Sequence, residues 1–187
     1  MDTLSELFGE QLKDLYSAEK QLTKALPAMA RKASTASLKT AFTEHLEETT
    51  NQVQRLEEIG QALGISLKGK VCKAMQGLIE EGKEVVKEKG NRSVLDAALI
   101  AAGQRVEHYE ISAYGSARAL AEHLGHSDAV GLLQATLDEE SNADAKLNSI
   151  SLDEVLGKAP SGLEDNEETE EAEATPAARA APIRKKK

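Results

Sequence analysis

The sequence predicts an all-α protein, and three observations carry this prediction. Apolar residues recur at steps of three and four along four long segments, the spacing of a helix that buries one face. Aromatic residues make up only 3% of the 187 residues and Trp is absent, which favours helices over pleated strands. A shorter periodic segment lies between the second and third long ones. We therefore expect four long helices and one connecting helix in a single core.

The first long helix is expected from Thr3 to Lys32. Its apolar positions are Leu4, Leu7, Phe8, Leu12, Leu15, Leu22, Leu26 and Met29. Pro27 lies inside this pattern, where it removes one backbone donor and crowds the preceding turn. We therefore expect a kink or a break near Ala25.

The second long helix follows the small residues from Ala33 to Ser37 and is expected to end at Gly64, a residue type that favours the C-terminal cap. Its apolar positions are Leu38, Phe42, Leu46, Val53, Leu56 and Ile59. The segment from Lys70 to Lys89 is too short for a full bundle member, so we expect it to form a connecting helix. Its apolar positions are Val71, Met75, Leu78, Ile79 and Val85.

The third long helix is expected to begin at Ser93 as its N-cap and to end at Gly125. Its apolar positions are Leu95, Leu99, Val106, Ile111, Ala117 and Leu124. The fourth is expected to start at a cap formed by Ser127 or Asp128. Its apolar positions are Leu132, Leu133, Leu137, Leu147 and Ile150. Two long helices, a long connection with a helix of its own and two more long helices are typical of antiparallel ferritin-like four-helix bundles.

The chain is expected to divide into a bundle at residues 3–150 and a tail at residues 151–187. Glu164 to Glu173 is almost wholly acidic, and the chain ends in the four basic residues from Arg184 to Lys187. Such a segment buries too little apolar surface to offset its ordering entropy, so we interpret the tail as disordered.

Charge and composition exclude several classes of partner. A net charge of -9 argues against nucleic acid and anionic lipid, which both need clustered Lys and Arg. Cys72 is the single cysteine, so no intrachain disulfide is expected. No signal segment opens the chain and no run of 18 apolar residues occurs, so we expect a cytoplasmic protein that does not insert into membranes.

Acidic residues interrupt the apolar face of every long helix. Hard cations prefer oxygen ligands, and a carboxylate tolerates burial only with a partner, so inward acids on four helices indicate a metal site. The candidate ligands are Glu19, Glu48, Gln52, Glu107, Glu110, Glu140 and Asp144. We interpret His45 and His108 as packing groups or as groups that support the ligands.

The pattern departs from the usual motif of di-iron carboxylate bundles, in which two helices each supply Glu-x-x-His. The positions three residues after Glu48 and Glu140 hold Asn51 and Ala143. The substitutes one residue further on are Gln52 and Asp144. This oxygen-rich ligand set favours iron or manganese over zinc or copper.

Four stretches of the sequence resemble the YciF/YciE-type ferritin-like family of bacterial stress-associated proteins. They are LKDLYSAEKQL at residues 12–22, HLEET at 45–49, CKAMQGLI at 72–79 and VEHYEISAYG at 106–115. The resemblance runs from about Leu4 to Ile150. It implies a ferritin-like four-helix bundle, a homodimer and a site for two metal ions, with the candidate ligands above.

We weigh three functions. The first is a metal-binding stress protein that handles peroxide or oxygen, its two ions bridged by Glu48 and Glu140 and capped by Glu19 and the glutamates of the third helix. The alternative is a helical interaction or scaffold protein without catalysis, in which the acids form salt bridges between helices. The third, association with DNA through the basic terminus, is disfavoured by the net charge.

Overall fold

The computed structural model describes residues 1–162, in which all regular elements are helical and no strand occurs. The acidic segment and the basic terminus lie outside the described residues. The five α-helices are α1 (Leu4–Lys32), α2 (Ala36–Leu63), α3 (Lys73–Lys87), α4 (Arg92–His123) and α5 (Ser127–Ile150). The prediction of an all-α protein is therefore confirmed. None of the described helices is both long enough and apolar enough to cross a membrane.

Helix α1 begins at a capping box and continues through its proline. Thr3 Oγ1 accepts a hydrogen bond from the Glu6 N–H at 3.2 Å, and the Glu6 carboxylate accepts from the Thr3 N–H. The helix runs through Pro27 without interruption, so of the kink or break expected near Ala25 the break is wrong and the kink stays a prediction. Proline costs one backbone hydrogen bond, and the burial of neighbouring apolar residues such as Leu26 keeps the segment helical.

The ends of α2 and α4 are fixed by local residue chemistry. Gly64 caps α2 with φ of 66°, the left-handed conformation that glycine adopts at little cost, as predicted. Helix α4 is capped by Asn91, whose side chain accepts hydrogen bonds from the N–H groups of Ser93 and Val94. The expected cap at Ser93 is therefore wrong by two positions, because Asn is at least as good a cap as Ser.

Helix α5 starts one residue earlier than a cap at Ser127 would place it, and two residues earlier than a cap at Asp128 would. Ser127 is its first residue, and His126 takes the cap position without a side-chain hydrogen bond to the helix. The ring of His126 stacks on Phe8 with centroids 5.8 Å apart. The expected cap at Ser127 or Asp128 is thus wrong, since a contact with α1 sets this helix start.

Four of the helices close a cycle. Helix α1 packs against α2, α2 against α5, α5 against α4, and α4 against α1, while α3 packs against α1 and α4. A Cβ added at Gly103 of α4 would lie 3.0 Å from the Leu147 side chain of α5 and 3.3 Å from that of Phe42 of α2. The missing side chain at Gly103 therefore lets three helices approach closely.

The chain remains helical beyond α5. A π-helical turn spans Ser151–Val155 and a 3-10 turn spans Leu156–Lys158. Val155 is buried against the apolar core formed with Ile150. Ordered structure therefore continues past residue 150, at which we expect the bundle to end.

Candidate metal centre

The interior contains two apolar clusters. On each of the four helices α1, α2, α4 and α5, buried polar residues lie between the residues that belong to one cluster and those that belong to the other. Leu15 and Leu133 belong to one cluster, and Leu22 and Leu147 belong to the other. The polar residues between the clusters, which we call the polar layer, are Glu19 on α1, His45, Thr49 and Gln52 on α2, Glu107 and Glu110 on α4, and Thr136 and Glu140 on α5. A polar layer in the middle of an apolar core is costly unless its groups find partners.

Helical spacing explains how single helices contribute several members. On α2 the steps of four and three from His45 to Thr49 and Gln52 keep all three on one face. On α4 Glu107 and Glu110 are separated by three residues and share a face in the same way. The Thr49 hydroxyl donates to the His45 carbonyl at 2.7 Å, so it is satisfied within its own helix.

Four members of the layer form a tight cluster. His45, Glu107, Glu110 and Glu140 each offer one ligand atom, and these atoms all lie within 4.8 Å of one another. His45 Nε2 lies 3.4 Å from Glu107 Oε2 and 3.6 Å from Glu140 Oε2. We call this group the central cluster. Its ligand atoms come from α2, α4 and α5, so only the packing of these helices creates it.

Most of the oxygens in and around the central cluster lack hydrogen-bond partners. The buried polar atoms of the layer without a partner are Glu19 Oε2, His45 Nε2, Gln52 Oε1, Glu107 Oε2, both Glu110 oxygens and Glu140 Oε2. Buried polar atoms are normally satisfied, and each exception calls for an explanation such as an ion. Seven such atoms in one layer form a set that could ligate a cation.

Glu19 approaches the centre from α1 with one oxygen already held. The Tyr114 hydroxyl donates to Glu19 Oε1 at 2.6 Å, and both residues are fully buried. The other oxygen, Glu19 Oε2, has no partner. Tyr114 therefore fixes the orientation of the carboxylate and leaves one oxygen free.

A chain of hydrogen bonds orients Gln52 and Glu140. The Arg55 guanidinium donates two hydrogen bonds of 2.6 Å to the Glu139 carboxylate. Gln52 Nε2 then donates to Glu139 Oε2 at 3.0 Å and to Glu140 Oε1 at 2.5 Å. Since the Glu139 carboxylate is paired with Arg55 and an ionised carboxylate only accepts, the amide nitrogen of Gln52 must face it. The carbonyl oxygen of Gln52 is left with its lone pairs free.

The pKa values of Glu19, Glu140 and the two buried α4 glutamates shift in the opposite direction from that of Glu139. Burial, together with the neighbouring carboxylates, raises the pKa of Glu19, Glu107 and Glu110 well above its ordinary value. Burial also raises the pKa of Glu140, although His45 offsets part of the effect. Burial would raise the pKa of Glu139 as well, but its hydrogen bonds with Arg55 and Gln52 outweigh burial and lower it. The central carboxylates thus lack the cation that Glu139 has.

The structure places five of the seven predicted ligands in the polar layer and two at its edge. Glu19, Gln52, Glu107, Glu110 and Glu140 are buried. Glu48 keeps 44% of its side chain exposed and points Oε2 at His45 Nδ1, 3.3 Å away. Asp144 keeps 25% of its side chain exposed, and its Oδ1 lies 3.3 Å from Nε2 of His108 on α4. The ligand roles of all seven stay predictions.

His45 is the member of the central cluster that the sequence interpretation left out of the ligand set. The usual motif is Glu-x-x-His, but on α2 the histidine precedes the glutamate, in the order His45-x-x-Glu48. The sequence feature that indicates an inward position for His45 is its spacing of seven residues from Gln52, because two helical turns bring both side chains to the same face. A search for the motif in both directions finds it.

The residues present fit a hard cation. The donors are carboxylate oxygens, one amide oxygen and one imidazole nitrogen, and such sets suit iron and manganese better than softer ions. His45 Nε2 faces Glu107 and Glu140, so the imidazole nitrogen could share an ion with these carboxylates.

Comparison with known proteins places the chain among bacterial relatives. Protein YciF of Escherichia coli strain K12 is 46% identical over 160 residues, which cover 85% of this chain and 96% of that protein. The crystal structure described as that of the E. coli stress protein YciF superposes with a TM-score of 0.79 over 81% of this chain and 96% of that one.

Two further solved structures are similar. A protein of Rhodopseudomonas palustris described as "YcfI, a putative structural protein" is 45% identical, with a TM-score of 0.77 over 80% of this chain and 95% of that one. A protein of Xanthomonas campestris pv. campestris is 20% identical with a TM-score of 0.61, over 80% of this chain and 92% of that one, and shares the fold. The model of the family described as "Domain of unknown function (DUF892)" matches residues 3–159. This chain therefore belongs to that family and is a homologue of YciF.

Proposed function

We propose that this protein binds two divalent metal ions, iron or manganese, inside a ferritin-like four-helix bundle formed by α1, α2, α4 and α5. The observation that carries the proposal is the central cluster, whose ligand atoms lie within 4.8 Å of one another and are mostly without partners. The ligands are His45, Glu19, Glu107, Glu110 and Glu140, together with Gln52 Oε1, which is left free because Nε2 makes the hydrogen bonds of this side chain.

Charge balance supports two ions rather than one. Four buried glutamates, Glu19, Glu107, Glu110 and Glu140, bring four negative charges into the core when they ionise. Two divalent ions supply four positive charges, whereas one would leave a buried excess. Uncompensated buried charge is costly, and without metal burial and the neighbouring carboxylates raise the pKa of these glutamates above its ordinary value.

The relative described as a stress protein supports a role in a stress response, and the redox chemistry of iron or manganese would suit peroxide or oxygen as its target. Bound iron or manganese would supply one-electron exchange with peroxide or oxygen. The chain's own residues hold and shape the site: Tyr114 fixes Glu19, and Arg55 with Glu139 fixes Gln52. The two apolar clusters flank the layer on both sides and lower its contact with water, which strengthens the charge interactions inside it.

Metal stoichiometry tests the proposal. The purified full chain is stripped with a chelator, incubated with Mn²⁺ or, without air, with Fe²⁺, desalted and analysed for metal. We expect two ions per chain for the wild type and fewer than one for Glu110→Gln and Glu140→Gln. Glu122→Gln, on the exposed part of α4, is the matched control and should bind as the wild type does. A wild type that retains no metal removes the proposal.

The scaffold alternative is supported by the relative described as a structural protein. It requires the acids to pair with basic residues between helices. Arg55 with Glu139 and Lys146 with Glu44 are such pairs, but Glu110 has none. Peroxide consumption by the iron-loaded chain separates the two functions, because a scaffold consumes peroxide only at the rate of free iron.

A further inference from the structure

A cavity connects the central cluster with the surface between α2 and α5. Its volume is about 130 Å³. Its lining includes His45 and Glu107 from the central cluster, Glu48 at the edge of the layer, and Ala143 of α5. The apolar groove between α1, α3 and α4, by contrast, is lined by no member of the central cluster. The cavity therefore reaches the proposed ligands.

Polar side chains line a graded path through this cavity. Glu48, at 44% exposure, stands 3.3 Å from His45, which is 5% exposed, and His45 stands 3.4 Å from Glu107, at 3%. The inner atoms of the path, His45 Nε2 and Glu107 Oε2, have no hydrogen-bond partner. A cation that loses water at Glu48 can next contact His45 Nε2 and Glu107 Oε2, two ligand atoms without hydrogen-bond partners.

An ion pair crosses the mouth of the cavity. Lys146 of α5 contacts Glu44 of α2, and both residues line the cavity. About half of each side chain is exposed. Surface pairs of this kind contribute little to stability, about 0–1 kcal/mol, so this pair can open at low cost.

The cavity is large enough for a partly hydrated ion. A single water needs roughly 10–15 Å³ of such volume, so about 130 Å³ accommodates several waters. A divalent ion can therefore exchange its hydration shell for protein oxygens stepwise instead of losing it at once. Carboxylates at Glu48 and Glu107 are suited to accept it, since hard cations prefer oxygen.

We propose that this cavity is the route by which divalent cations reach the centre, with Glu48 as the residue that first receives the ion and the Lys146–Glu44 pair as its cover. The inference rests on the proposed function and assigns Glu48 a role in uptake instead of a place among the final ligands. Lys146 holds a positive charge at the mouth and slows cations until it swings away from Glu44.

Rapid mixing of the metal-free full chain with Co²⁺, followed by visible absorbance, measures uptake directly. Glu48→Gln removes the charge and keeps the shape, and it should take up Co²⁺ about tenfold more slowly, because fixed charge raises the rate of encounter by at least this factor. The final number of ions should stay that of the wild type. Glu47→Gln, the neighbouring exposed residue of α2, changes net charge equally and should leave the rate unchanged.

Two further variants test the route itself. Lys146→Ala should speed uptake severalfold, whereas Lys39→Ala, an exposed lysine elsewhere on α2, should have no effect. Ala143→Met places side-chain atoms in the cavity and should slow both uptake and removal of Co²⁺ by a chelator. Circular dichroism confirms that each variant is folded.

The outcomes are distinguishable. If Glu48→Gln binds fewer ions than the wild type, Glu48 is a final ligand and its role as the receiving residue is overturned. If Glu48→Gln, Lys146→Ala and Ala143→Met all take up Co²⁺ at the wild-type rate, the route is overturned while the metal centre stands. If the wild type binds no Co²⁺, Mn²⁺ or Fe²⁺, the proposed function fails and removes the route with it.

Discussion

Two buried carboxylate sites on the same helix are built in opposite ways. Asp96 of α4, 1% exposed, accepts four hydrogen bonds of 2.6 to 2.8 Å from the backbone N–H and hydroxyl groups of Ser34 and Thr35. Glu110 of α4 is fully buried, and neither of its oxygens has a hydrogen-bond partner. The same chemical group is satisfied at one site and unsatisfied at the other.

The pKa values follow this difference. Burial would raise the pKa of Asp96, but the hydrogen bonds from Thr35 and Ser34 outweigh it and lower the value. Burial and the charges of Glu19, Glu140 and Glu107 raise the pKa of Glu110 well above its ordinary value. Asp96, supplied with N–H and O–H donors, ties the α1–α2 connection to α4, whereas Glu110 has neither a donor nor a cation beside it.

The largest effect of a substitution is expected at the satisfied site. Asp96→Ala leaves the donors of Ser34 and Thr35 without their acceptor and should lower the free energy of unfolding by about 3 kcal/mol. Urea denaturation followed by circular dichroism measures it. Asp138→Ala, an exposed acid of α5, is the control and should cost less than about 0.5 kcal/mol. A loss as small as the control's would mean that Asp96 does not anchor the connection.

Metal should act on the unsatisfied site alone. At a free Mn²⁺ concentration 100 times the dissociation constant, each bound ion should raise the free energy of unfolding by about 2.7 kcal/mol. Asp96→Ala should show the same gain from its lower starting point, because its defect lies outside the centre. Thermal unfolding with Mn²⁺ or with chelator checks this. An equal melting temperature in both conditions would contradict the distinction between the two sites.

Removing a charge should have opposite consequences at the two sites. In the metal-free protein at pH 8, Glu110→Gln should raise the free energy of unfolding by about 1 kcal/mol, since it removes a buried carboxylate without partners. The same variant should lose most of the stabilisation by Mn²⁺. Denaturation of wild type and variant, each with and without Mn²⁺, measures both effects. Destabilisation of the metal-free variant would show that Glu110 already has a stabilising partner.

The smallest expected effect is the dependence on pH. Glu110 has a raised pKa in the folded state, so the folded protein keeps its proton longer, and metal-free stability should fall as pH rises above the ordinary value of 4.5. Asp96 has a lowered pKa, so its contribution should be lost as pH falls below the ordinary value of 3.8. Denaturation midpoints from pH 3 to pH 8 in chelator, for wild type, Glu110→Gln and Asp96→Asn, resolve the two slopes. If the dependence of stability on pH were the same for Glu110→Gln as for the wild type, the prediction for Glu110 would be contradicted.

The sequence predicted much of the fold and part of the candidate site. Periodicity predicted five helices, and Gly64 predicted the end of α2. The caps of α4 and α5 were wrong because Asn91 competes with Ser93 and because His126 packs on Phe8. A cap depends on small local differences between good candidates, and a helix start can be set by a contact with a distant part of the chain.

The buried carboxylates of α1, α4 and α5 were determined by the sequence, because periodicity fixes which side of a helix a residue occupies. Only the tertiary structure decided that His45 joins Glu107, Glu110 and Glu140, while Glu48 stays at the mouth of a cavity. The distance between side chains on different helices depends on how those helices rotate and shift against one another. Packing sets these rotations and shifts, because the side chains of both apolar clusters must be close-packed. The positions of the polar side chains between the clusters follow from that packing.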